Sequence, residues 1–114
     1  MVPHDSARMF VRIWEFRVRS EAADEFRAVY GPDGDWARLF SRETAFLGTE
    51  LLHSATHPNI FVTIDRWNSE EAWAAFLRAW GDEYAALDHH CTRLVVSEGE
   101  VGSFRLADRA VVRR

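Results

Sequence analysis

From Met9 to Val18, Trp14, Phe16 and Val18 alternate with Ile13, Glu15 and Arg17, the two-residue period of a β-strand. The run Ser20-Glu21-Ala22-Ala23-Asp24-Glu25-Phe26 then offers an N-cap hydroxyl and acids in a first turn, where the helix dipole favours them. Phe26, Val29 and Tyr30 give this helix its apolar stripe. Gly31-Pro32-Asp33-Gly34 must end it, because Pro has no amide proton and Gly permits turn dihedrals. Asp35 is the expected cap of a short second helix carrying Trp36, Leu39 and Phe40.

Phe46 to Ala55 predicts a second strand, His57-Pro58-Asn59 a turn, and Ile60 to Trp67 its hairpin partner. In that third strand Phe61, Thr63, Asp65 and Trp67 share one face, and Val62 and Ile64 the other. Asn68 or Ser69 should cap a long helix with Glu70 and Glu71 in its first turn. Its stripe is Trp73, Phe76, Leu77 and Trp80, resuming at Tyr84 and Leu87 after a break expected at Gly81. Leu94 to Val96 and Val101 to Leu106 predict a last strand interrupted near Gly99, with Glu98-Gly99-Glu100 read as a solvated bulge or turn.

The order strand, helix, strand, strand, helix, strand predicts an α+β fold: a ferredoxin-like βαββαβ antiparallel sheet with helices on one face. Residues 9–106 form the expected single domain, with 1–8 a flexible N-terminus and 107–114 a frayed tail. Helices can cover Trp14, Phe16 and Trp67, but Val11, Ile13, Val62 and Ile64 point the other way. Monomers rarely expose large contiguous apolar patches, so the expected partner is a second copy of the chain, the two sheets packing face to face.

Composition narrows the function. The chain has 114 residues, a net charge of −4, and eight Phe, five Trp and two Tyr, a heavy aromatic core for one short domain. All 14 basic residues are Arg, and the mild acidity argues against nucleic-acid binding, which needs a clustered positive surface. No basic and apolar leader opens the sequence and no apolar run approaches a membrane span, so a soluble cytoplasmic protein is expected. Cys91 is the only cysteine, which excludes an internal disulfide. His53 and His57 fall on a strand and a turn, and His89, His90 and Cys91 are adjacent in the chain; neither group has metal-site spacing, so no metal is expected. The absence of a Gly-rich phosphate loop excludes an integral flavin or nicotinamide domain, and no cofactor is expected.

Three segments carry a resemblance: Val11-Arg12-Ile13-Trp14-Glu15-Phe16, Leu47-Gly48-Thr49-Glu50-Leu51-Leu52, and Phe61 to Trp73 with its acid-x-Trp-x-Ser-x-x-Ala run at Asp65, Trp67, Ser69 and Ala72. Together they resemble the antibiotic-biosynthesis monooxygenase superfamily, and Tyr30-Gly31-Pro32-Asp33-Gly34-Asp35-Trp36 resembles a subgroup of its members. The resemblance implies a dimeric α+β barrel with a ligand pocket between sheet and helices in each subunit. It also implies, in cofactor-free members, oxidation of electron-rich aromatic compounds by molecular oxygen, with the substrate anion reducing the oxygen.

Such a pocket needs aromatic walls and a few polar groups for an enolate or phenolate. Trp14, Tyr30, Trp36, Trp67 and Trp73 are the candidate walls, with Asp65, His53 and Arg66 as polar candidates; Arg66 is the weakest, since alternation turns it away from Asp65 and Trp67. Each aromatic has a plain alternative as core filling. Asp65 is either the partner of an Arg or helix amide, or a buried carboxylate with a raised pKa acting as general base. The haem-degrading branch keeps a His ten residues beyond the Trp; here that position is Leu77, which cannot ligate iron, and the branch's first-strand Asn falls at or near Trp14. Two readings remain open: a cofactor-independent monooxygenase of a small aromatic, polyketide- or quinol-like substrate, or a non-catalytic homodimer that binds a small molecule.

Overall fold

A computed structural model describes residues 8–108, which form one sheet with helices on one side. The chain runs β1 (Phe10–Val18), α1 (Ala23–Tyr30), α2 (Asp35–Phe40), β2 (Phe46–His53), β3 (Ile60–Trp67), α3 (Glu70–Cys91) and β4 (Val95–Arg105). The strands are antiparallel in the order β2-β3-β1-β4, so the first and third strands are central, as the ferredoxin-like expectation requires. Most of the expected flexible start and frayed tail lies outside the described residues. Where the described ends meet, the Arg8 guanidinium donates to the carbonyls of Leu106 and Ala107 at 3.0 and 3.3 Å.

Register assigns each residue a face. Phe10, Arg12, Trp14 and Phe16 of β1 pair with Trp67, Asp65, Thr63 and Phe61 of β3 and, with Val18 opposite Val95 of β4, look toward the helices. Phe16, Val18, Phe26, Phe61, Trp67, Phe76 and Leu94 are each at most 4% exposed and form the heart of the core. On the opposite face Val11, Ile13, Val62 and Ile64 lie together, with Leu52 opposite Val62 and Phe104 opposite Val11. Leu52 and Phe104 are 46% and 48% exposed, so among the described residues nothing covers this apolar face.

Local details depart from the sequence reading in three places. Ser20 does not cap α1; it opens a short 3-10 turn over Ser20–Ala22, and no side chain caps either segment. Asp35 is the first residue of α2, not its cap, and its carboxylate accepts from Arg38 at 3.1 Å. The preceding Gly34 is buried in a turn where a Cβ would sit 2.3 Å from the Val29 carbonyl oxygen, so only glycine fits there. The third helix is interrupted within one residue of the break expected at Gly81: Trp80, with φ −128° and ψ 21°, is non-helical, and two helical segments meet there at a kink. There the Trp80 indole donates to Glu43 at 3.0 Å and Arg42 lies 4.7 Å over its ring.

The third correction matters most for the site. β4 is one continuous strand through Gly99, with extra residues at Val96 and Val101 that shift its register against β1. Glu98-Gly99-Glu100 is therefore not a turn. Glu98 stands opposite Phe16 and Glu100 opposite Trp14, both on the helix-covered side. At the other end of the molecule Ser69 caps α3 as expected, accepting from the Ala72 amide at 3.1 Å.

Candidate functional site

Between the sheet and the helices lies a half-open pocket whose enclosed space is about 40 Å³, small beside the usual range for small-molecule sites. β1 contributes Arg12, Trp14 and Phe16; β3 contributes Thr63 and Asp65; β2 contributes Thr49. Tyr30, Trp36 and Phe40 come from α1 and α2, Tyr84 and Asp88 from α3, and Glu98 from β4. The walls are aromatic because period-two alternation on β1 and the stripes of three helices converge here. Phe16 packs on Tyr30 with centroids 4.9 Å apart, and Trp36 meets Tyr84 edge-on at 5.1 Å.

Asp65 is the carboxylate set into the sheet wall. The β2–β3 register puts Thr49 opposite it, and the Thr49 hydroxyl donates to its carboxylate. Burial pushes its pKa up to about 6, more than the Thr49 hydrogen bond and the nearby Arg12 charge pull it down. A carboxylate poised there holds its negative charge at neutral pH yet accepts a proton readily. Thr49 can face Asp65 because β2 bulges just before it, with Leu47 the extra residue and the adjoining Gly48 at a φ of 138° that only glycine adopts without strain.

Deeper in the wall, burial raises the Tyr30 hydroxyl far above its ordinary value and also raises the Cys91 thiol. Cys91 is 1% exposed, the small apolar filler expected of a lone cysteine. The Trp36 indole N–H lies near both groups, close enough to influence their titration, yet it makes no hydrogen bond of good geometry.

Four of the expected site residues meet at the cavity: Trp14, Tyr30, Trp36 and Asp65. Four do not line it. Trp67 is on the right face but fully buried beside Phe40, Phe46, Trp73 and Phe76, at centroid distances of 5.1–5.4 Å. Its indole N–H has no partner, which costs about 1–3 kcal/mol that the surrounding packing must outweigh. Trp73 stacks on Phe76 at 5.6 Å and lies behind the cavity, beneath the Arg12 guanidinium. His53 is exposed at the far end of β2, where its Nε2 bonds the Pro58 carbonyl at 2.8 Å and its ring stacks on Phe61 at 4.4 Å. Arg66 points to the open face and pairs with Glu50 at 2.5 Å.

Sequence reasoning missed Arg12, Thr49, Thr63, Tyr84, Asp88 and Glu98 as lining residues. Arg12 and Thr63 were open to inference, because alternation puts them on the faces of Trp14 and Asp65. Glu98 was hidden by the false turn, and Asp88 and Tyr84 needed the path of α3 across the sheet. Among the described residues no group of three or more His, Cys, Asp or Glu could hold a metal ion, and no helix is long and apolar enough to cross a membrane.

A ferredoxin-like sheet enclosing an aromatic pocket defines a class of small α+β proteins, and comparison with known families narrows it. A family model described as antibiotic biosynthesis monooxygenase matches residues 9–90, and the chain belongs to that family. Its fold is similar to that of SnoaB, a cofactor-independent oxygenase from Streptomyces nogalater, at 20% identity, TM-score 0.68, and 95% and 100% coverage of the two chains. A candidate antibiotic biosynthesis monooxygenase from Deinococcus radiodurans aligns at 15% identity and TM-score 0.71, covering 92% of this chain and 99% of that one. A protein of unknown function from Nitrosomonas europaea aligns at 17% identity and TM-score 0.63, covering 96% and 99%. At these identities the likeness establishes the fold alone. No curated protein matches the chain in sequence.

Proposed function

We propose that this protein is a cofactor-independent monooxygenase that oxidises a small aromatic, polyketide- or quinol-like substrate with molecular oxygen. The observation that carries the reading is Asp65, a proton-accepting carboxylate set in an aromatic cavity of a chain in this family. In this scheme Trp14, Trp36 and Tyr30 sandwich the planar substrate, and Asp65 takes a proton from an activated C–H or O–H group. The resulting substrate anion is the electron donor. For a benzylic CH2 flanked by aromatic rings, oxidation to C=O supplies all four electrons that oxygen accepts, so one oxygen atom enters the product and the other leaves as water. No external reductant is required.

Oxygen uptake with an anthrone and a hydroquinone tests this directly. The wild type should consume oxygen, with a rate that falls as the pH drops through about 6 and Asp65 becomes protonated. Absence of uptake with every such substrate, in folded protein, would overturn the enzyme reading in favour of a non-catalytic binding dimer.

The bare sheet face supports a second part of the proposal, a homodimer packed through Val11, Ile13, Val62, Ile64 and Phe104. Light scattering at micromolar concentration should give twice the monomer mass, and Ile64→Asp should halve it. A monomeric wild type would refute the dimer.

A further inference from the structure

Arg12 is the one cation among the charged residues lining the cavity; the others are Asp65, Asp88 and Glu98. Its side chain is 13% exposed, and its guanidinium lies 4.2 Å from the Trp73 ring centroid and 5.7 Å from that of Trp14. It faces Asp65 on β3 and the Tyr84 hydroxyl on α3. Its ion pair with Glu100 on β4 is long, at 3.8 Å, and Glu100 also accepts from Ser103 at 2.9 Å. Asp65 already accepts from Thr49. A guanidinium has five N–H donors, more than the Tyr84 and Glu100 contacts use, and this one is held against the Trp73 ring.

The remaining charge in the lining is negative. Asp88 and Glu98 are both exposed, and Asp88 helps push the Glu98 pKa up. Neither exposed carboxylate has a cation beside it within ion-pair distance among the described residues. A ligand that arrives as an anion meets this repulsion before it reaches Arg12.

We propose that Arg12 holds the negative charge that develops on a substrate entering uncharged and losing its proton inside the cavity, while Asp88 and Glu98 slow the entry of ligands that are already anionic. The substrate class is therefore a weakly acidic phenol or enolisable ketone without a carboxylate or phosphate group. This inference rests on the reading of the cavity as a substrate site. It makes Arg12 a charge-stabilising residue and the two outer carboxylates determinants of specificity.

The test uses 4-nitrophenol, whose neutral and phenolate forms absorb at different wavelengths, and 4-nitrobenzoate, which is of similar size and permanently charged. Bound to the wild type, 4-nitrophenol should ionise about one pH unit below the free compound, a roughly tenfold preference for the phenolate. Arg12→Gln should abolish that shift, and Arg12→Lys should restore part of it. At a pH where the phenol is neutral, 4-nitrobenzoate should associate at least about tenfold more slowly than 4-nitrophenol, and Asp88→Asn with Glu98→Gln should narrow the gap.

An unshifted bound phenol, a shift that survives Arg12→Gln, equal association rates for the carboxylate, or no binding of either probe would each overturn the proposal. Should Arg12→Gln fail to fold by circular dichroism, the wild-type titration and the ratio of association rates still decide. Oxygen uptake that persists while the bound probe titrates like the free one removes this role from Arg12 and leaves the enzyme reading standing. A shifted probe in a protein without uptake does the reverse.

Discussion

The aromatic layer beneath the sheet is filled at one end and hollow at the other. At the filled end Trp67, Phe40, Phe46, Trp73 and Phe76 pack on one another at 5.1–6.1 Å, and Trp67 and Phe76 are fully buried. At the hollow end Trp14, Tyr30, Trp36 and Tyr84 stand around a cavity that also holds Arg12, Asp65 and the two outer carboxylates. Both ends draw on the same strands, since Trp67 and Asp65 are two residues apart on one face of β3, as are Arg12 and Trp14 on β1. Aromatic content by itself therefore does not mark a binding site. What separates the ends is the polar group left among the rings, which a purely structural core would exclude because burying it is costly.

This contrast is open to attack at both ends. The largest effect is expected at the filled end, where Trp67→Ala should lower unfolding free energy by about 3–5 kcal/mol in urea titrations, through the cavity it leaves. A loss under about 1 kcal/mol would mean that end is not close-packed.

Asp65→Asn should act in opposite directions on activity and stability. Oxygen uptake should fall at least about a hundredfold, as expected when a general base is removed. The folded-state pKa of about 6 lies above the ordinary 3.8, so the folded chain binds this proton more tightly than the unfolded chain does. Its contribution is fully present below pH 3.8 and is lost as the pH rises through about 6. At pH 7.5 the Asn variant should accordingly be about 1–2 kcal/mol more stable than the wild type, with a flatter pH profile between 4 and 7. A variant less stable than wild type at pH 7.5 would show that Asp65 is a structural ion-pair member.

Trp14→Ala removes a half-buried wall of the hollow end. It should cost about 1.5–3 kcal/mol in stability, less than Trp67→Ala, while weakening 4-nitrophenol binding about tenfold. Equal affinity in the variant would place the ligand elsewhere. The smallest effect belongs to Ser69→Ala, which removes the cap of α3 at the filled end and should cost about 1 kcal/mol. Ligand binding should not change, and a change there would couple the two ends.

Much of the site was open to inference from short-range pattern. Alternation on β1 and β3 assigned Trp14 and Asp65 to one side, and the helical stripe gave Tyr30. The same rules put Trp67 on that side too, but periodicity assigns a face and says nothing of position along it, so a filled and a hollow place look alike. His53 also followed the alternation of β2, yet the turn after it draws its ring to the Pro58 carbonyl and onto Phe61.

By itself the sequence determined the element order, the faces of the two central strands and the bare apolar side, because each follows from periods of two and 3.6 residues that act locally. It also carried the family through its strand-to-helix segments. Only the tertiary structure decided where the cavity lies, that Arg12 shares it with Asp65, and that Asp88 and Glu98 stand at its outer part. Those choices depend on the register shifts of β4 and the path of a kinked helix across the sheet, which arise from contacts between residues far apart in the chain.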